Sequence, residues 1–78
     1  MPLYYFNIYN DDVTLDHEGA ELADIHAAIA YAVKAARALA ADTVSHGHLS
    51  AHHRIEIVDG DQTLLDIVRF DEAVDLRP

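Results

Sequence analysis

One alanine-rich stretch, from Asp24 to Gly47, constrains the fold of this chain more than any other feature. Nine of the residues from Asp24 to Asp42 are alanine, the best helix former, and neither glycine nor proline interrupts them. The apolar residues recur at spacings of three and four, which places them on one stripe: Ile25, Ala28, Ile29, Ala32, Val33, Ala36, Leu39, Ala40 and Val44. We predict one helix from Ile25 to His46, with Asp24 as its N-cap and Gly47 as a left-handed stop. The small side chains of the stripe predict close contact with a sheet.

Two pairs of strands are predicted on either side of this helix. Leu3 to Tyr9 alternates with the period of a half-buried strand, and Val13 to Asp16 returns after an acidic turn. Arg54 to Val58 and Thr63 to Phe70 form the second pair, around a turn at Asp59 to Gln62. The side chains of the first pair that we predict to face the helix are Tyr4, Phe6, Ile8, Val13 and Leu15.

These elements predict an α+β fold, a two-layer β-β-α-β-β domain in which one long Ala-rich helix packs on a mainly antiparallel four-stranded sheet. Seventy-eight residues leave no room for a second domain, so we predict one domain over 1–78, with 71–78 as a loosely packed tail. The chain has no cysteine, which excludes disulfides and thiol chemistry.

The charge and hydropathy of the chain limit the classes of partner it can bind and indicate its location. The formal net charge is −9, and no lysine or arginine precedes Lys34. A chain so acidic repels phosphate backbones, so we predict no nucleic-acid partner and regard a basic protein partner as compatible. No stretch approaches the roughly 18 apolar residues of a membrane span. The amino terminus lacks the pattern of a signal peptide, and we expect a cytoplasmic protein with no membrane partner.

The histidines come nearest to a chemical site. Four of the six lie in the connection over 46–53, namely His46, His48, His52 and His53. Imidazoles at short spacing can gather a Zn, Ni or Cu ion, but these spacings match no closed structural site. We predict a solvated loop with no metal and no cofactor. The alternative is that these four histidines bind a metal or respond to pH.

Catalytic groups are not recognisable in the sequence. Ser45 and Ser50 lie near histidines but on no strand–turn–helix elbow, and the three glycines are isolated, so no phosphate-binding loop is formed. Turns explain the acids of the first hairpin more simply than an acid–base pair does. We therefore predict no catalytic residues and a protein that is not an enzyme.

An oligomer is predicted because the apolar surface exceeds what one helix can cover. The fourth strand is apolar on both faces, and a strand of this kind is usually covered on both sides. A helix of 22 residues spans about 33 Å, which exceeds the length of the strands. We predict a homodimer or higher oligomer through the sheet face away from the helix, the far end of the helix, or both. The interface candidates are Tyr5, Tyr9, Leu39, Val44, Leu65 and Ile67, and the tail residues Val74 and Leu76 would cover part of the helix end.

Short motifs along the chain resemble a family of small bacterial proteins, domain of unknown function 6894. They are Pro2, Tyr4-Tyr5-Phe6, the acidic turn, Asp16 with Glu18-Gly19, Glu21-Leu22, the Ala-rich helix, Arg54-Ile55-Glu56-Ile57 and the ending from Val68 to Phe70. The resemblance implies the same ββαββ order and no particular activity. This chain departs from the family pattern at Arg69, where a proline is usual, and at His52-His53, where an apolar residue would precede Arg54. At the level of the fold alone, the chain is more distantly similar to RNase-H-like antitoxin domains.

Three functional hypotheses follow from the sequence. The first is a small non-enzymatic protein-interaction module that self-associates. The second is an antitoxin-like regulatory domain that binds a basic partner protein. The third is a metal- or pH-responsive protein that acts through its histidines.

Overall fold

The fold is a two-layer α+β domain with one helix packed on an antiparallel sheet. The computed structural model describes residues 1–74. Along that part of the chain the elements are β1 (Leu3–Tyr9), β2 (Val13–Thr14), β3 (Ala20–Glu21), α1 (Ile25–Ser45), β4 (Arg54–Val58) and β5 (Leu64–Arg69). The predicted class and layer arrangement are confirmed, and β3 is the one additional strand. The predicted tail residue Leu76 lies outside the described residues.

The helix begins and ends close to the predicted residues. The Asp24 carboxylate accepts a hydrogen bond from the amide of Ala27 (2.9 Å), and Gly47 follows the last turn with φ +95°. One line of alanines at four-residue spacing is buried, and it consists of Ala28, Ala32, Ala36 and Ala40. Because a methyl group is small, this line lets Cα atoms of the helix lie within 8 Å of Cα atoms in the sheet strands.

The sheet has the order β2-β1-β4-β5, and β3 also pairs with β1. Every pairing is antiparallel. In the two central strands Phe6 lies opposite Ile57 and Ile8 opposite Ile55. The inner face, which we define as the face toward the helix, carries the core residues Tyr4, Phe6, Ile55, Ile57 and Val68, and Phe70 completes the core after β5. The predicted inward orientation of Tyr4 and Phe6 is confirmed.

One edge of β1 is held by two short strands with an aspartate between them. The Oδ2 atom of Asp16 accepts from the amide of Phe6 (3.1 Å), and its Oδ1 atom accepts from the amides of Glu18 and Gly19 (both 3.0 Å). Asn7 Oδ1 in turn accepts from the amide of Asp16 (2.9 Å). Side chains thus replace the strand ladder between β2 and β3. Gly19 has φ +72°, and a Cβ there would lie 3.0 Å from the carbonyl oxygen of Tyr4, which favours glycine.

The predicted second strand is therefore wrong in its length and in the inward position of Val13. The strand β2 contains two residues, and Val13 pairs with Tyr9, which places it on the sheet face away from the helix. Leu15 lies beyond the strand and is 51% exposed. The physical reason is the Asp16 carboxylate, which binds the β1 backbone where a continued strand would have to pair. The chain leaves the ladder after Thr14 and returns to it at Ala20.

The hairpin of β4 and β5 turns at the predicted place. Asp59 Oδ1 accepts from the amides of Asp61 (2.8 Å) and Thr63 (3.0 Å), and Gln62 takes a positive φ of 67°. After β5, Ala73 is buried, and its carbonyl oxygen accepts from Nε of Arg37 (2.6 Å). The end of the described chain is thereby fastened to the helix.

Candidate functional site

Two histidines and one aspartate meet at the end of the sheet. His48 Nε2 lies 2.8 Å from Asp11 Oδ2, and His53 Nε2 lies 3.1 Å from Asp11 Oδ1. One ligand atom from each residue falls within 4.8 Å of the other two. We call Asp11, His48 and His53 the Asp–His cluster. It joins the turn after β1 to the connection that precedes β4.

The elements around the cluster fix two of its members. Asp11 lies in a turn where Asn10 Oδ1 accepts from the amide of Asp12 (3.0 Å). The amide of His53 donates to the carbonyl of Ser50 (3.1 Å), and its own carbonyl accepts from the amide of Phe70 (3.0 Å). The His53 ring is 6% exposed and packs edge-on against Phe70, with ring centroids 5.7 Å apart. His53 is therefore held from both its backbone and its side chain.

The two histidines act on the carboxylate of Asp11. The hydrogen bond from His48 lowers the pKa of the Asp11 carboxyl below its usual value, against the opposing effect of desolvation, and His53 lowers it further. His53 Nδ1 is buried without a hydrogen-bond partner among the described residues. Because unpaired buried N–H groups are rare, we assign the His53 proton to Nε2, where it is donated to Asp11.

The histidines predicted as possible metal ligands separate into two groups. His48 and His53 enter the cluster, whereas His46 donates from Nδ1 to the carbonyl of Asp42 (2.8 Å) and His52 lies exposed. His46 still lines, with Asp11 and His48, a cleft of about 300 Å³. Sequence reasoning missed Asp11 because it is 37 and 42 residues from its two partners. No local spacing could have indicated that contact.

The second candidate surface is the outer face, the sheet face away from the helix. In the described chain no helix covers it. Leu64 is 50% exposed, and Leu65 and Ile67 are each 41% exposed. Tyr5 and Tyr9 are half-buried on the same face, and the guanidinium of Arg54 lies 4.5 Å from the centroid of the Tyr9 ring.

The two remaining interface candidates lie on the helix. Leu39 is half-buried and packs against the core, so residues of the same chain already cover much of its side chain. Val44 is exposed near the end of the helix.

An apolar groove of about 450 Å³, which the sequence did not predict, opens between the helix and the β1 edge. Tyr31, Phe6 and Leu15 line it, and the Tyr31 ring lies 4.7 Å from that of Phe6.

Comparison with known protein families identifies the chain. The sequence model of a domain of unknown function, DUF6894, matches residues 3–71. The chain belongs to this family. The match runs from β1 to the turn after β5, so both the Asp–His cluster and the outer face lie inside the DUF6894 domain.

Other comparisons of this DUF6894 domain add little to the assignment. No curated protein and no solved structure gave a match. Among the described residues, no helix is both long and apolar enough to cross a membrane.

Proposed function

We propose that this DUF6894 domain is a non-enzymatic protein-interaction module that self-associates through the outer face of its sheet. The observation that carries the proposal is the half-exposure of three large aliphatic side chains, Leu64, Leu65 and Ile67, on a face that no described helix covers. A second copy of the chain is the occupant we propose. Two-fold association would bury the same patch twice, which is the commonest way that small proteins close such a surface.

The charge distribution supports a contact between like chains at this face. Two copies that each carry a net charge of −9 repel one another. The outer face carries Arg54, whose Nε donates to Glu56 (2.7 Å), and Arg69, which is paired with Asp71. These two arginines are two of the five basic residues of the chain, and their pairs leave the face locally close to neutral. Self-repulsion is therefore smallest where the aliphatic patch lies.

The edge of β5 is less suited to self-association than its face. The amide of Phe70 points toward β4, where it donates to His53, so by alternation the amide of Ile67 points toward the free edge. That amide is already bound to Asp66 Oδ1 (2.8 Å). A charged side chain that occupies an edge amide discourages strand-to-strand pairing. We therefore propose face-to-face packing of the two sheets.

The other hypotheses from the sequence stay predictions. An antitoxin-like role requires a basic partner protein, and a histidine-mediated response to pH requires a change of partner or of shape. Location in the cytoplasm is likewise a prediction from the sequence.

Light scattering coupled to size exclusion tests the proposal. We expect the wild-type chain to show a mass that rises toward twice that of one chain as its concentration increases tenfold through the micromolar range. Ile67→Lys should hold the mass at that of one chain, because it places a charge in the centre of the apolar patch. Leu15→Lys is the matched control, since Leu15 is an exposed aliphatic residue that lines the groove between the helix and the β1 edge, away from the outer face. A wild-type mass of one chain at every concentration, or an equal effect of both variants, would refute the outer face as the interface.

A further inference from the structure

We propose that the Asp–His cluster binds a divalent transition-metal ion of the zinc class. Two imidazole nitrogens and one carboxylate oxygen already converge there, with all three ligand atoms within 4.8 Å of one another. The cluster lies outside the outer face and is independent of self-association. Each proposal can therefore fail without the other.

The spacing of the three donors is close to that of ligands on a single ion. Zinc binds nitrogen and oxygen at about 2.0–2.2 Å, so two ligand atoms at tetrahedral positions are separated by roughly 3.3 Å. His48 Nε2 lies 2.8 Å from Asp11 Oδ2, and His53 Nε2 lies 3.1 Å from Asp11 Oδ1. One ligand atom from each residue lies within 4.8 Å of the other two, so movement of the exposed Asp11 and His48 side chains toward the fixed His53 ring would bring the three to the spacing of a single ion.

The donor set selects the kind of metal. Calcium and magnesium prefer oxygen ligands, and neither suits a site in which two of three donors are nitrogen. Imidazole suits Zn²⁺, Ni²⁺, Co²⁺ and Cu²⁺, and the Asp11 carboxylate supplies a negative charge. Three protein ligands leave at least one position for water, as in the open class of zinc sites.

Burial makes this cluster different from a chance group of surface histidines. The His53 side chain is 6% exposed and fixed by its contacts with Phe70, so one ligand is positioned by the core itself. Asp11 and His48 are accessible and line the cleft of about 300 Å³, which gives an ion a path to the site. The other two histidines of the connection lack such a support, because His46 and His52 are both exposed.

The second ring nitrogen of His53, Nδ1, limits the affinity of the cluster for a metal ion. A metal on Nε2 requires the proton to move to Nδ1, which is buried without a partner in the described chain. Loss of a partner for the second imidazole nitrogen typically lowers metal affinity ten- to a hundredfold. We therefore expect weaker binding than at a closed four-ligand site. The fold does not depend on the ion, because the hydrogen bonds of the cluster join the same segments without it.

Calorimetric titration of the full chain with Zn²⁺ at neutral pH tests the proposal. We expect one ion per wild-type chain, and a loss of at least tenfold in affinity in Asp11→Asn and in His48→Gln. Both positions are exposed, so both variants should keep the wild-type circular dichroism. The matched controls are Asp12→Asn and His52→Gln, which change an exposed acid and an exposed histidine outside the cluster. The controls should bind within twofold of wild type.

Titration with Co²⁺ adds a readout of the ligands themselves. The visible absorption of bound Co²⁺ should appear in the wild type and the controls and be lost in both cluster variants. The Ile67→Lys chain should bind as the wild type does, which separates metal binding from self-association. Absence of Zn²⁺ binding would overturn the proposal. So would equal affinity in the cluster variants and the wild type, since the ion would then be held by other surface histidines.

Discussion

The two faces of one sheet differ in how completely they are covered. Ile57 on the inner face is fully buried, whereas Ile67 on the neighbouring strand is 41% exposed on the outer face. The two residues are of the same type and lie on paired strands, but β4 is central and β5 is at the edge of the sheet. The helix completes the inner face with its line of alanines. On the outer face Asn7 and Val58 of the central strands are buried, whereas no described helix covers the side chains of β5.

The faces also differ in chemistry, and that difference indicates their uses. The buried residues of the inner face are all apolar, from Tyr4 to Val68. The outer face places the buried Asn7 opposite Glu56, with Arg54 paired to Glu56 beside them. Apolar area interleaved with polar groups is typical of a protein–protein interface and not of a domain core. The comparison teaches that a strand with apolar residues on both sides can contribute to the hydrophobic core on one side and to a protein–protein interface on the other.

The largest expected effect compares the two isoleucines directly. Ile57→Ala should lower the free energy of unfolding by about 2–5 kcal/mol, because it leaves a cavity in a fully buried position. Ile67→Ala should cost under about 1 kcal/mol in a dilute monomer, as is usual for an exposed position. Urea denaturation at low protein concentration measures both values.

Protein concentration sharpens this first prediction. Association stabilises the folded wild type by mass action, so the loss of unfolding free energy in Ile67→Ala should grow as the protein concentration rises. The loss of unfolding free energy in Ile57→Ala should stay constant. Equal losses for the two variants would mean that the two faces are covered to the same extent.

A smaller effect is expected at the edge of β1, where Asp16 holds the strand that borders both faces. Asp16→Asn should lower the free energy of unfolding by about 1–3 kcal/mol at neutral pH, because one of the two acceptor oxygens is replaced by an amide nitrogen that cannot accept. Asp12→Asn, in the exposed turn before β2, is the matched control and should be nearly neutral. Chemical denaturation of both variants gives the comparison.

The same aspartate predicts a pH dependence of known sign. Desolvation raises the pKa of the Asp16 carboxyl, but the hydrogen bonds from the amides of Gly19, Phe6 and Glu18 outweigh it and leave the pKa below the ordinary value of 3.8. A group with a lowered pKa in the folded state stabilises the fold fully when the pH is above the unfolded-state pKa of about 3.9. This stabilisation is lost as the pH falls through the folded-state pKa. The difference between the wild type and Asp16→Asn should therefore shrink below about pH 4. A difference that does not change with pH would contradict the role assigned to the carboxylate.

The sequence predicted the parts of this fold that depend on local interactions. The helix follows from the alanine composition, the Asp24 cap and Gly47, all of which act within a few residues. The inner positions of Tyr4 and Phe6 follow from alternation within a single strand. The hairpin at Asp59 to Gln62 likewise depends on its own turn.

The parts that the sequence did not predict depend on contacts between distant segments. The interruption after Thr14 requires the Asp16 carboxylate to reach the amide of Phe6, ten residues earlier. The predicted alternation also placed Val13 on the wrong face, since Val13 pairs with Tyr9 on the outer face. The Asp–His cluster joins residues that are 37 and 42 positions apart, and only the antiparallel pairing of β1 with β4 brings the Asp11 turn beside His53.

The central claim is that a second copy of the chain covers the outer face, and thiol labelling tests it most directly. The chain has no cysteine, so Ile67→Cys and Leu15→Cys each introduce a single thiol, one on the outer face and one in the groove beside the helix. We predict that the maleimide labelling rate of Ile67→Cys falls as protein concentration rises, while that of Leu15→Cys stays constant. Labelling of Ile67→Cys that is equally fast at every concentration would contradict the account.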